Sequence, residues 1–155
     1  MKEVKLTKGK IALVDDEDFE KLILYKWHAN LIEGHWYAYR TISKDKTIES
    51  MHSFILKIKG IDHINNNGLD NRKENLRGCT QTQNNANMKK QANTSSKYKG
   101  VSLFKRDNKW RAKIDCNYIC HHLGLYDSEE SAALAYNKKA IELFGEFARL
   151  NVVDF

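Results

Sequence analysis

Four polar residues at ordered spacing dominate the chain: Asp62 and His63 side by side, then Asn75 and Asn84. A carboxylate and an imidazole fixed near amide oxygens are the minimum parts for metal-assisted phosphodiester hydrolysis. One group can hold a divalent cation while the other takes a proton from water. Carboxylate and amide oxygens are hard ligands suited to Mg²⁺ or Mn²⁺, with water and phosphate in the remaining positions. An imidazole with an ordinary pKa of about 6.5 is largely neutral near pH 7 and can accept that proton. Successive strand residues face opposite sides, so Asp62 and His63 share one site only at a strand end or bulge. The plainer alternative is that Asn-rich turns favour Asp, Asn and Gly, and that the pair is incidental.

The elements that must position these residues fall into three zones. Residues 1–60 read mostly as strands, at Val4–Leu6, Lys10–Val14, Trp27–Leu31, Trp36–Thr41 and Thr47–His52, from their β-branched and aromatic enrichment. The acidic run Asp15-Asp16-Glu17-Asp18 predicts a short helix over Phe19–Tyr25. Trp27, Trp36, Tyr37 and Tyr39 are expected to build a β core, and charge leaves a DNA-contacting role open to Arg40, Lys44 and Lys46. Residues 61–93 are rich in Asn, Asp and Gln, a composition that by itself suits disorder. Thr80-x-x-Gln83 is nevertheless a capping-box pattern and predicts a helix from Gln81 to Lys90. Residues 91–96 read as a linker.

Residues 97–155 carry a separate pattern. Strands are expected at Lys99–Phe104, Lys109–Asp115 and Tyr118–Tyr126, with a turn at Arg106-Asp107-Asn108. Asp127-x-x-Glu130 then caps a helix bearing Ala133, Tyr136, Ala140 and Leu143 on one face, stopped by Gly145. The whole reads as an α+β chain: a β-rich N-terminal region, then the Asp62–His63 module, then a three-stranded antiparallel sheet packed on one helix.

Bulk properties narrow the function classes. The chain has 155 residues and a formal net charge of +6, a basic excess that suits a polyanionic partner. Residues 96–115 concentrate seven basic side chains, Lys97, Lys99, Lys105, Arg106, Lys109, Arg111 and Lys113, against Asp107 and Asp115. Alternation puts Lys109, Arg111 and Lys113 on one strand face and Trp110, Ala112 and Ile114 on the other. The first set is the choice for contacting phosphates; the second should pack on the helix. Three cysteines, an odd number, argue against a disulfide framework. No apolar run reaches the roughly 18 residues of a membrane span, and the polar N-terminus does not resemble a signal peptide. A reduced, cytoplasmic protein is expected. Cys116-x₃-Cys120-His121-His122 invites a zinc reading, but adjacent strand positions point apart, which disfavours convergence.

The segment from His52 to Asn87 resembles the HNH homing endonucleases of phage and mobile introns, which use a ββα-metal fold. The match rests on Asp62-His63, Asn75-Leu76-Arg77, Asn84 and an upstream Met51-His52. The resemblance implies His63 as general base, Asp62 and Asn84 as metal ligands, and Asn75 as the brace of the loop that orients the histidine. Supporting roles stay open for His52, Arg77 and Asn87.

Ser96-Lys97-Tyr98-Lys99-Gly100-Val101, Lys109-Trp110-Arg111-Ala112-Lys113-Ile114 and Phe144-Gly145-Glu146-Phe147-Ala148-Arg149-Leu150-Asn151 resemble a domain of the apetala-two, ethylene-response-factor type. That resemblance implies a sheet that docks in the DNA major groove. Ser102 stands where the plant domains usually carry an arginine, and their third-strand tryptophan is replaced around His122, so only the docking mode carries over.

The expected organisation is a nuclease region over 1–93, with its metal motif at 52–90, and a DNA-binding domain over 94–155. The expected function is site-specific, Mg²⁺- or Mn²⁺-dependent cleavage of double-stranded DNA by a phage or mobile-element protein in a host cell. No small-molecule cofactor is expected, and the oligomeric state is open. A non-catalytic DNA-binding protein derived from such a nuclease is the alternative. An RNA- or protein-binding module is a third reading that basic charge permits.

Overall fold

The computed structural model describes residues 1–42, 46–90 and 94–154, so Lys44 and the 91–93 part of the expected linker lie outside the described residues. The chain divides into two compact units, Met1–Thr80 and Gln81–Phe155. Helices and antiparallel sheets are mixed in both, an α+β fold.

In the first unit, β1 (Lys2–Lys5) pairs with β2 (Ile11–Val14) as an antiparallel hairpin. The acids that follow form the first turn of α1 (Asp16–Leu22) rather than preceding it, where the positive end of the helix dipole favours them. The Trp27 indole donates to the Leu22 carbonyl at 2.9 Å, so the helix ends there and does not run to Tyr25 as expected. Strands β3 (His28–Ile32), β4 (His35–Ile42) and β5 (Thr47–Ser50) make an antiparallel sheet in that order.

The strand expected over Thr47–His52 stops at Ser50, and His52 lies instead on helix α2 (Met51–Leu56). Met51, Phe54 and Ile55 all meet the core at helical spacing, a period that the strand reading overlooked. That core joins Val4, Ala12, Val14, Leu22, Trp27, Ala38 and Met51. Of the four expected core aromatics only Trp27 belongs to it. Trp36 instead lies beneath the ammonium groups of Lys8 and Lys10, and Tyr37 faces His52 and His63.

The hairpin of β6 (Ile61–His63) and β7 (Leu76–Gly78) carries the candidate site. Its connecting loop is tied to strand β2. Leu13 N–H donates to the Leu69 carbonyl, and Asn71 N–H donates to the Leu13 carbonyl, both at 2.8 Å. The acidic run also holds the loop: Asp15 accepts from the Lys73 backbone N–H at 2.8 Å, and Glu17 and Asp18 pair with the Lys73 ammonium.

The second unit opens with α3 (Gln81–Asn87), shorter than the helix expected to Lys90. Strands β8 (Val101–Phe104), β9 (Lys109–Cys116) and β10 (Ile119–Tyr126) form an antiparallel sheet with β9 central. Helix α4 (Glu129–Phe144) packs on it through Ala132, Ala133 and Tyr136, against Ala112 and Ile114 of β9. The cap is Ser128, not the expected Asp127: its hydroxyl accepts from Ser131 N–H at 3.1 Å. Gly145 ends the helix with φ +53, as its type predicts.

Gly68 shows how tightly the site loop meets the sheet. A Cβ there would lie 2.3 Å from the Tyr37 ring and 2.5 Å from the Trp36 carbonyl oxygen. Gly68→Ala is therefore expected to destabilise the protein by about 1–3 kcal/mol through overpacking, read as a lower denaturant midpoint in equilibrium unfolding.

Candidate active site and nucleic-acid face

His63 is the last residue of β6, and the backbone turns immediately beyond it: Asn66 N–H donates to the His63 carbonyl at 2.8 Å. Asp62 stands opposite Arg77 and His63 opposite Leu76 in the ladder, so the two candidate residues leave the strand on opposite faces. Both are buried, each 5% exposed. Asp62 Oδ2 accepts from Arg77 Nε at 3.1 Å and Nη2 at 2.8 Å.

The His63 ring sits in a cage of aromatic and amide groups. His52 meets it edge to face with ring centroids 5.0 Å apart, and Tyr37 lies 5.9 Å away. His63 Nε2 lies 3.4 Å from the side-chain oxygen of Asn71, which is 1% exposed. Burial holds the His63 pKa below the ordinary imidazole value, against opposing contributions from the Asn71 hydrogen bond and the charges of Asp62 and Asp70. His52 is pushed further, down to about 4, by burial and by His63. Two neutral imidazoles thus face one another at pH 7.

Asn75 does not carry the ring; it carries the loop. Its amide nitrogen donates to Asn65 Oδ1 at 3.1 Å and to the Asp70 carbonyl at 2.8 Å, and its oxygen accepts from Asn65 N–H at 3.0 Å. Asn65 in turn donates to Asp70 at 2.9 Å, and Arg72 grips both oxygens of Asp70 at 2.7 and 2.8 Å. That guanidinium holds the Asp70 carboxyl below its usual range. The Asn-rich composition that suited disorder is here a cross-linked loop.

Asn84 and Asn87 lie on α3, in the second unit, with Asn87 buried. Sequence reasoning missed Asn71, Tyr37 as a wall of the site, and Gly68. Nothing local distinguishes Asn71 from the asparagines around it; its role emerges only through the pairing of its backbone with Leu13. Arg40, open to a DNA role on charge alone, is committed to the protein. It pairs with Glu49 at 2.7 Å, and its guanidinium lies 3.9 Å from the Tyr25 ring centroid. Lys46 is exposed.

The seven basic residues of the second unit separate in the structure. Lys109, Arg111 and Lys113 share one face of β9, opposite buried Ala112 and Ile114. Arg111 stands across from Ser102, to which its Nη2 donates at 3.4 Å, and lies 5.8 Å from the Phe104 ring centroid. Lys105 and Arg106 occupy the β8–β9 turn, and Lys97 approaches Glu130 at 3.7 Å.

Lys99 departs from the expected DNA role. Its ammonium donates to the carbonyls of Ala86 at 2.6 Å, Met88 at 2.7 Å and Asn85 at 3.3 Å, and so closes the C-terminal end of α3. Burial, with the nearby Arg149, lowers its pKa to about 8. Cys116 pairs with Ile119 and Cys120 with Asp115, so the two thiols lie on opposite faces of the sheet. No group of three or more His, Cys, Asp or Glu is placed to hold a metal among the described residues.

No family model and no solved structure matches the chain. It is 35% identical over 89 residues to Protein 3.8 of Escherichia phage T7, covering 57% of this chain and 73% of that protein. It is also 36% identical over 157 residues to an uncharacterized HNH endonuclease of Acanthamoeba polyphaga mimivirus, covering 96% of this chain and 78% of the relative. With that similarity running over nearly its whole length, the chain belongs to the HNH endonuclease family.

Proposed function

We propose that the protein is a site-specific DNA endonuclease of the homing type, in which His63 acts as general base and a divalent cation, Mg²⁺ or Mn²⁺, is held at Asp62. The observation that carries this reading is the strand end at His63. It presents a buried, neutral imidazole next in sequence to a buried carboxylate that leaves the strand on the other face. The donor set suits a hard cation bound through few protein ligands: one carboxylate at Asp62, with amide oxygen, water and phosphate making up the remainder. Asn84 enters as second ligand by family resemblance. Bound there, the cation would stabilise charge on the phosphate and on the departing 3′ oxygen.

His63 takes a proton from the water that attacks phosphorus. Its lowered pKa keeps it in the neutral, proton-accepting form to more acidic pH than a free imidazole. Asn75 and Asn65 hold the loop that follows His63, and Tyr37 and His52 limit rotation of its ring. The second unit supplies affinity in the manner of an apetala-two type sheet, with Lys109, Arg111 and Lys113 on the phosphates and Lys97, Lys105 and Arg106 at the margin.

One observation favours the rival reading, a DNA-binding protein that no longer cuts. Arg77 neutralises Asp62 across the ladder, and a carboxylate so paired attracts a cation less strongly. Incubation with supercoiled plasmid or host DNA, with and without Mg²⁺, separates the two. Nicking that requires the metal is expected, with a fall of about 10²–10⁴-fold in His63→Ala and loss of the metal-stimulated nicking in Asp62→Ala. A mobility shift on every DNA tried, with no cleavage of any, would establish the rival.

The acid limb of the pH–rate profile is expected below the ordinary imidazole value of about 6.5, because the active form is the neutral one and its pKa is depressed. A limb above that value would contradict a buried His63 base. Replacing Arg111 and Lys113 together by alanine is expected to weaken DNA binding without changing the cleavage chemistry. The slope of log affinity against log salt should become shallower by about 0.9 for each phosphate contact removed, measured by fluorescence anisotropy.

A further inference from the structure

We infer that the C-terminal unit holds a second phosphate-binding site, a basic cleft in which Arg149 and Lys97 take a backbone phosphate of DNA. This inference rests on the reading of that unit as the part that holds DNA. The cleft has a volume of about 250 Å³ and is lined by Lys90, Lys97, Lys99 and Arg149, together with Asn151. Asp154 is its one side-chain carboxylate among the described residues, and Lys109, Arg111 and Lys113 of β9 do not line it. Pockets for whole small molecules run from about 300 Å³ upward, so this space suits a phosphate group with its water better than an enclosed nucleotide.

Side-chain amides fix the walls. Asn151 accepts from the Lys99 backbone N–H at 2.7 Å and donates to the Lys99 carbonyl at 3.1 Å, which clamps two walls together. Asn137 of α4 repeats the pattern on Asn151, donating to its carbonyl at 2.9 Å and accepting from its N–H at 2.8 Å. Arg149 N–H donates to the Ala86 carbonyl at 3.3 Å, so the guanidinium springs from a tethered backbone. A site held in place before binding loses less freedom when a ligand arrives.

The cations divide the work. The Lys99 ammonium spends its hydrogens on the carbonyls of Asn85, Ala86 and Met88, so it contributes charge and no donor. Arg149 enters no ion pair among the described residues, and its planar fork matches two phosphate oxygens. The Lys97 side chain is 63% exposed and reaches Glu130 only at 3.7 Å, a weak pair that a phosphate can replace. Burial, and then repulsion from Arg149, lower the Lys99 pKa to about 8, a cost that a bound anion would relieve. Arg149 lies outside the basic stretch of 96–115, so local charge does not single it out.

The test uses the full chain and a fluorescently labelled duplex in anisotropy titrations. Arg149→Gln is expected to weaken binding about tenfold, the worth of a hydrogen bond to a charged group. The slope of log affinity against log salt should become shallower by about 0.9. The loss should be equal for duplexes of unrelated sequence, since phosphates carry no base information, and should persist when Arg111 and Lys113 are already alanine. Asp154→Asn, which removes the opposing charge, should tighten binding, a gain that misfolding cannot produce.

The Arg149 Nε–H signal in ¹H–¹⁵N spectra separates DNA from a free anion. Duplex DNA is expected to shift it, with inorganic phosphate competing only weakly. A signal moved by inorganic phosphate and not by DNA would assign the cleft to a small phosphate and overturn the proposal. Unchanged affinity and salt slope in Arg149→Gln, with Asp154→Asn no tighter, would sink the cleft alone, provided the wild-type chain binds the duplex. A wild-type chain that binds no duplex brings down the DNA reading of the whole unit, and the cleft with it.

Discussion

One amide holds the site loop together from within. The segment between β6 and β7 packs on the sheet and core at Gly68 and Leu69, and elsewhere its backbone must find hydrogen-bond partners. Asn75 supplies donor and acceptor at once, reaching Asn65 on one side and the Asp70 carbonyl on the other. Asn65, Asp70 and Arg72 extend that connection into a closed network, and Asp15, Glu17 and Asp18 anchor its outer edge through Lys73. Asparagine suits this role because its side chain repeats the peptide group and can stand in for missing backbone partners.

What was legible in the sequence is local in origin. The alternation in β9 placed Ala112 and Ile114 inward and the basic residues outward, and the structure follows it. Helix α4 and its glycine stop were readable from periodicity and end signals that act within a few residues, although the cap is Ser128 and not Asp127. The acid run announced a helix, although the carboxylates occupy its first turn and Trp27 terminates it. Helix α2 was missed because Thr47–His52 begins with β-branched residues and reads as a strand up to the point where Met51 turns into the core.

The candidate site was legible as a set of residue types and not as an arrangement. Asp62, His63 and Asn75 could be named from spacing; Asn71 could not, since its place depends on a strand nearly sixty residues earlier in the chain. Charge was the weakest guide. Alternation set Lys109, Arg111 and Lys113 apart on one strand face, as the structure has them, but charge did not show that Lys99 lies against three main-chain carbonyls. The same holds for Arg40, whose guanidinium is absorbed by aromatic rings and Glu49. A cation's availability is a tertiary property.

Lys99 has a consequence for where the chain could be divided. By gripping the carbonyl end of α3 it makes that helix a piece of the C-terminal unit, which begins at Gln81. Asn84 rides on α3, whereas Asp62 and His63 belong to the N-terminal unit. Recombination that traded one C-terminal unit for another at its structural border would hand over Asn84 together with the new sheet. A chain that exchanged its C-terminal unit would take the asparagines of α3 from the donor and keep its own Asp62 and His63.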